Sequence, residues 1–147
     1  MIDDKDKKII NELVEDSRQS FRDIARKLSL STVTVMKRVK RLEKERILGQ
    51  YHAIVDYEKA GYDVDVLINI KISHGNYPQV YERMKNNPNI LALYDTTGDF
   101  DAVIVAKFKN RRLLDTFLKK LQGMQHVERT HTVYILRVLE KKGIQLS

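Results

Sequence analysis

The spacing of the apolar residues changes once along this chain, and that change restricts the folds open to it. Up to about residue 48 they recur every three or four positions; from residue 64 they alternate. The first spacing lines one face of a helix and the second lines one face of a strand. A helical N-terminal part followed by a mixed strand-and-helix part follows, so the expected fold class is α+β. The 147 residues suffice for one ordinary domain or two small ones, and an apolar content of 42% is enough for a buried core.

Three helices are legible in the first part. Asp3 can cap a helix reaching about Glu15, with Ile9, Ile10, Leu13 and Val14 as its buried stripe. Ser20 can cap a second, followed by Asp23 in a variant of the capping box. Phe21, Ile24, Ala25 and Leu28 then form one apolar face. Ser31 can cap a third helix from Thr32 to about Glu45, with Val35, Val39 and Leu42 inward. Tyr51 to Val55 reads as a short strand. Three short helices with a tight turn before the last make a helix-turn-helix, and the added strand predicts its winged form.

From Val64 the pattern reads β-α-β-β-α-β. Strands are expected at Val64–Ile72, Ile90–Thr96, Phe100–Phe108 and Val127–Leu139. Helices are expected around Val80, Tyr81 and Met84, and through Leu113, Leu114, Phe117, Leu118 and Leu121. This is the ferredoxin-like plan, a four-stranded antiparallel sheet with both helices on one face. The third strand is apolar on both sides: Ala102, Ile104 and Ala106 on one, Val103 and Val105 on the other. One row stays exposed unless a second copy covers it, which predicts a homodimer. Asp65, Asn69 and Lys71 on the first strand fit that face less well. The expected boundaries are a helix-turn-helix domain over 1–50, a linker with a short strand over 51–63, and a ferredoxin-like domain over 64–147.

The net charge of +7 is concentrated. Residues 17–46 hold ten Lys/Arg against three acids, and the remainder sums to zero. Such a block suits a polyanion, since each neutralised phosphate releases a condensed counterion; a solvated helical face accounts for the charge equally well. In a helix-turn-helix the third helix enters the major groove of double-stranded DNA. Candidate contacts are Ser31, Thr32, Thr34, Lys37, Arg38, Lys40 and Arg41. The hydroxyls can serve bases or phosphates, and the cations can reach phosphates or the guanine edge. Val33 and Met36 fit either thymine methyls or the core.

Other chemistry is restricted. The chain has no cysteine, which removes disulfides, thiolate metal sites and cysteine nucleophiles. The histidines, His52, His74, His126 and His131, show no metal-ligand spacing, and no Gly-rich phosphate loop or Ser/His/Asp set is present. No apolar run is long enough for a bilayer, and the acidic start Met1-Ile2-Asp3-Asp4-Lys5-Asp6 is unlike a secretory signal. A cytoplasmic protein without membrane contact, catalytic residues, metal or cofactor is the expectation.

The ordered motifs resemble the leucine-responsive/asparagine regulator (Lrp/AsnC, or feast/famine) family over nearly the whole chain. They are Asp6-x-x-Ile9-Ile10-x-x-Leu13, Ile24-Ala25-x-x-Leu28 and Ser31-x-x-Thr34-Val35-x-x-Arg38-Val39-x-Arg41-Leu42-Glu43 with Ile47. Tyr51-x-Ala53-Ile54-Val55-Asp56 leads on to Gly61-Tyr62. Thr97-Gly98-Asp99-Phe100-Asp101 and Thr130-His131-Thr132 complete the set. Ser29 and Arg46 stand where the family often has Gly, and Tyr57 where it often has Pro. The resemblance implies a transcription regulator dimerised through its C-terminal sheets, with further assembly to tetramers or octamers. It also implies an amino-acid effector, bound near Thr97, Gly98, Asp99, Phe100 and Asp101 with Thr130 and Thr132. The chemistry suits such a ligand: Gly98 permits close backbone approach, and Asp99 or Asp101 can accept from an ammonium. Gly-Asp between two strands is also ordinary hairpin chemistry. The alternatives are an amino-acid-sensing regulator acting through protein or RNA, and an enzyme like the tetrapyrrole decarboxylases that resemble this family.

Overall fold

Each of the first three helices begins on a side chain that accepts a backbone N–H left over from its first turn. A computed structural model, describing residues 1–147, places α1 over Asp4–Glu15, α2 over Phe21–Leu28 and α3 over Thr32–Lys44. Asp3 Oδ1 accepts from Asp6 N at 2.8 Å, and Asp6 Oδ2 accepts from Asp3 N at 3.0 Å, which closes a reciprocal capping box. Ser20 Oγ accepts from Asp23 N, and Ser31 Oγ accepts from Thr34 N. Ile9, Leu13, Ile24, Ala25, Val35 and Val39 meet in one core, and Leu42 is fully buried. Val14, expected in the stripe of α1, is exposed instead.

The second half contains β1 Val64–Ile72, α4 Tyr77–Met84, β2 Ile90–Asp95, β3 Ala102–Phe108, α5 Arg111–Gln122 and β4 Val127–Tyr134. The strand order is β2-β3-β1-β4, with every pairing antiparallel. This is the expected ferredoxin-like plan. Val66, Ile68, Ile70 and Ile72 of β1 pack with Ala102, Ile104, Ala106 and Phe108 of β3. Val80 and Met84 of α4 and Leu114, Phe117 and Leu121 of α5 cover them. Leu113, expected in the inward stripe of α5, is exposed, and so is Tyr81 of α4. On the opposite face β3 presents Val103 and Val105, and Asp65, Asn69 and Lys71 of β1 lie on that same side, as their register requires.

Two strand expectations are corrected. Tyr51–Val55 forms no strand, so the wing is missing from the single chain. Apart from His52 its residues have largely apolar side chains, but no strand lies beside them to complete their hydrogen bonds. The last strand stops at Tyr134 rather than Leu139. Its partner β1 begins at Val64, and the final bond runs from Ile135 N to Asp65 O. Residues 56–61 form a turn: the Asp56 carboxylate accepts from Lys59 N, and Gly61 takes φ +84°.

The chain divides into two compact units, residues 1–54 with 140–147, and residues 55–139. The final eight residues therefore group with the helices and not, as the sequence suggested, with the sheet. Asn11 joins them there: its Nδ2 donates to Leu146 O at 3.0 Å, and its Oδ1 accepts from Leu146 N at 2.7 Å.

Candidate nucleic-acid interface and effector loop

Helix α3 has two unlike sides. Val35, Val39 and Leu42 face the core, while Ser31, Thr32, Lys37, Lys40 and Lys44 are exposed. Val33 is 54% exposed, which removes it from the core, and Met36 is half-buried. Thr34 is half-buried, and its hydroxyl lies 2.7 Å from Ser31 Oγ, so the first turn is internally braced. The exposed lysines lie outside the ion pairs formed around this helix. Their charge is therefore available to an anion. Arg22 on α2 is exposed as well.

Arg38 and Arg41 differ from these lysines. Sequence pattern grouped them with the cations that reach phosphate; the fold gives their guanidiniums to acids of α1. Arg38 Nη1 donates to Asp3 at 2.7 and 2.8 Å and to Asp6 Oδ1 at 2.8 Å. Arg41 Nη2 donates to Asp6 Oδ2, and its Nη1 lies 3.5 Å from Glu45 Oε2. Asp6 is the one buried charged residue, at 1% exposure. Burial pushes its carboxyl upward, but the Asp3 N–H and the Arg41 and Arg38 guanidiniums outweigh that, and it stays well below the usual carboxylate range. Both guanidiniums are correspondingly raised by hydrogen bonding to Asp6, Arg38 also by Asp3. Asp3 and Asp6 were legible only as a cap and a motif position, because their spacing does not reveal that α3 passes beside them.

At the end of α3, Tyr51 donates its hydroxyl to Glu43 Oε1 at 2.9 Å. Desolvation, and then this hydrogen bond to a carboxylate, push the phenol up to about 12.

The second predicted site is the connection between β2 and β3. Thr97, Gly98 and Asp99 are exposed, and Gly98 holds φ +108°, a conformation natural only to glycine. Thr96 Oγ1 donates to Phe100 O, and Asp101 N donates to Ile70 O, so the turn is anchored to β1. The Asp101 carboxylate accepts from Ile72 N at 2.7 Å and Lys71 Nζ at 3.3 Å, with the backbone bond chiefly holding it below its ordinary value. Asp101 is thus occupied within the fold, and Asp99 is the acid left open.

The register brings this turn and the start of β4 to one end of the sheet, since Ile70 pairs with Ala102 on one side and Thr130 on the other. The predicted residues nonetheless divide between faces. Thr130 and Thr132 pair with Ile70 and Ile68, whose side chains point toward the helices, and Gln122 Nε2 donates to Thr130 Oγ1. Phe100 stacks on His131 at 6.1 Å, with the Arg129 guanidinium 4.9 Å from its ring centre. Arg129 and His131 were not among the predicted residues; their approach to Phe100 depends on strand register.

No helix is long and apolar enough to cross a membrane. Residues 2–43 match the AsnC-type helix-turn-helix domain, and residues 65–144 match the Lrp/AsnC ligand binding domain. The chain is 36% identical over 138 residues to the HTH-type transcriptional regulator FL11 of Pyrococcus furiosus, covering 94% of this chain and 91% of that one. Its fold is similar to that of Bacillus subtilis LrpC, with a TM-score of 0.87, 28% identity and coverage of 97% and 99%. It is likewise similar in fold to a Neisseria meningitidis transcriptional regulator solved with L-Met, with a TM-score of 0.91, 21% identity and coverage of 100% and 97%. By the domains it matches and the relatives it resembles along its length, the chain belongs to the Lrp/AsnC family of transcriptional regulators.

Proposed function

We propose that this protein regulates transcription as a dimer that presents the exposed side of α3 to the major groove of double-stranded DNA. The observation that carries this reading is the division of α3: its apolar stripe is consumed by the core, while Thr32, Lys37 and Lys40 face solvent. Ser31, Thr32 and Thr34 stand at its N-terminal end, the end that meets bases in this motif. Lys37 and Lys40 serve phosphates, while Arg38 and Arg41 hold the helix against α1. The protein acts by binding rather than by catalysis.

The second copy covers the face of the sheet opposite α4 and α5. Val103, Val105 and Leu67 form an apolar row there, flanked by Tyr94 and Val133, both substantially exposed in one chain. The charged residues of β1 do not oppose this: Lys107 pairs with Asp65, and Lys71 with Asp101. Pairing these faces sets the spacing between two α3 helices, and so selects pseudo-palindromic sites with half-sites about one helical turn apart.

The effector is an amino acid held at the loop end of the sheet. Asp99 accepts from its ammonium, and the Gly98 backbone permits close approach. Thr97, Phe100 and Asp101, with Thr130 and Thr132, shape the surroundings. The matched ligand-binding domain and the L-Met complex of the Neisseria protein support this assignment.

Binding to short duplexes, titrated with salt, tests the DNA reading. A pseudo-palindromic site selected from the host genome should bind far more tightly than scrambled DNA, and Lys37→Ala with Lys40→Ala should flatten the salt dependence. Equal affinity for all duplexes overturns it. A thermal-shift panel of the amino acids tests the effector, with Asp99→Ala expected to abolish any shift.

A further inference from the structure

Three of the ten cations in the basic block are already paired with acids from outside it: Lys27 with Glu12, and Arg38 and Arg41 with Asp3 and Asp6. Asp3 caps α1, and Asp6 and Glu12 lie on it; counting these three acids with residues 17–46 lowers that block from +7 to +4. Arg38 and Arg41 are 25% and 37% exposed, so neither is sealed off from solvent. With Asp3 and Asp6 they line a cleft that also includes Thr34 and Lys37, on the reading helix itself. A phosphate could approach both guanidiniums if they were free. Moving them to one would strand Asp6 as a buried charge without a partner, which is strongly unfavourable.

We propose that Asp6, assisted by Asp3, is a specificity-determining residue: an internal counter-anion that withholds Arg38 and Arg41 from DNA phosphates. This rests on α3 being the DNA-reading helix. Non-specific affinity grows with the number of phosphates neutralised, whereas sequence is read at base edges. Two cations tied to α1 fix the helix without adding to the indiscriminate attraction. The carboxylates therefore widen the gap between the correct site and bulk DNA.

The test measures affinity for an arbitrary duplex by fluorescence anisotropy between 0.05 and 1 M salt, values chosen as about the range over which counterion release is resolved. Asp6→Asn keeps the shape and the acceptor for Asp3 N but removes the charge. Asp3→Asn keeps a good helix cap and removes the carboxylate that takes two of the three hydrogen bonds of Arg38. It therefore loosens Arg38 alone and is read beside Asp6→Asn, with Asp6→Ser as the second variant if Asp6→Asn unfolds. Each guanidinium released to a phosphate should steepen the slope of log affinity against log salt by about 0.9, or about eightfold in affinity at 0.1 M relative to 1 M. Preference for the specific site should fall in parallel. In the native background, Arg38→Gln and Arg41→Gln should lower the melting temperature without changing the slope.

An unchanged slope in the folded Asp variants, with only a lower melting temperature, reduces both acids to a purely structural role and overturns the proposal. So does a shallower slope in either Arg variant, because that arginine would already be touching phosphate. A native chain that binds no duplex at low salt instead removes the DNA reading on which the proposal stands.

Discussion

Ser29 and Arg46 hold backbone that favours glycine, with φ +53° and +57°. Each follows a helix and reverses the chain: Leu30 N reaches back to Ala25 O, and Ile47 N to Leu42 O. The family's frequent Gly at both places matches this geometry. A side chain in the left-handed region is strained by about 1–2 kcal/mol, partly offset by the lower unfolded entropy of a non-glycine residue. Ser29→Gly and Arg46→Gly are each expected to stabilise the fold by about 0.5–1 kcal/mol, read as a higher urea midpoint. Asp6 sets a pH dependence at the same scale. Its carboxyl is lower in the folded chain than its ordinary 3.8. It therefore contributes stability above that pH, and the contribution is lost as pH falls through the folded value. Thermal melts between pH 5 and pH 2 should show native protein losing more stability than Asp6→Asn; parallel curves would contradict the ion-pair account.

At the scale of elements, α3 depends on one hydroxyl for its start. Ser31 Oγ accepts from Thr34 N at 3.0 Å, and no acid occupies the first turn. Ser31→Ala should cost about 1 kcal/mol. Ser31→Asp should restore the cap and favour the helix dipole, yet weaken DNA binding by placing a carboxylate where a phosphate approaches. Separate recovery of melting temperature and affinity distinguishes cap from contact; recovery of both would place Ser31 away from DNA. In the other unit the stabilising element is the clasp of Asp101 on Ile72 N and Lys71, which ties the β2–β3 turn to the central strand.

For the whole molecule, the decisive surface is the sheet face that the helices leave open. Val105 sits in its middle, beside Leu67 on β1 and Ala92 on β2. A lysine there would put a charge into an apolar contact between copies while leaving the helix-facing core intact. Val105→Lys is expected to give monomers by sedimentation, with unchanged secondary structure and greatly weakened binding to a two-half-site duplex. Dimers of normal affinity would locate the pairing surface elsewhere.

The sequence by itself determined the elements and most of their ends. Helix caps at Asp3, Ser20 and Ser31, the inward stripes of α2 and α3, and the alternation in β1 and β3 are local signals, carried by neighbours within a few residues. It also located the exposed hydroxyls and lysines of α3, because their side of the helix is whatever the apolar stripe leaves over. What required the tertiary structure was every question of partnership. Tyr51–Val55 has the composition of a strand but no strand beside it, and β4 ends where β1 gives out. Arg38 and Arg41 look like free cations until α1 crosses α3 and offers Asp3 and Asp6. Arg129 and His131 meet Phe100 only through the register of β4 on β1. A side chain's type limits which bonds it can form, but the packing of distant segments decides which one it forms.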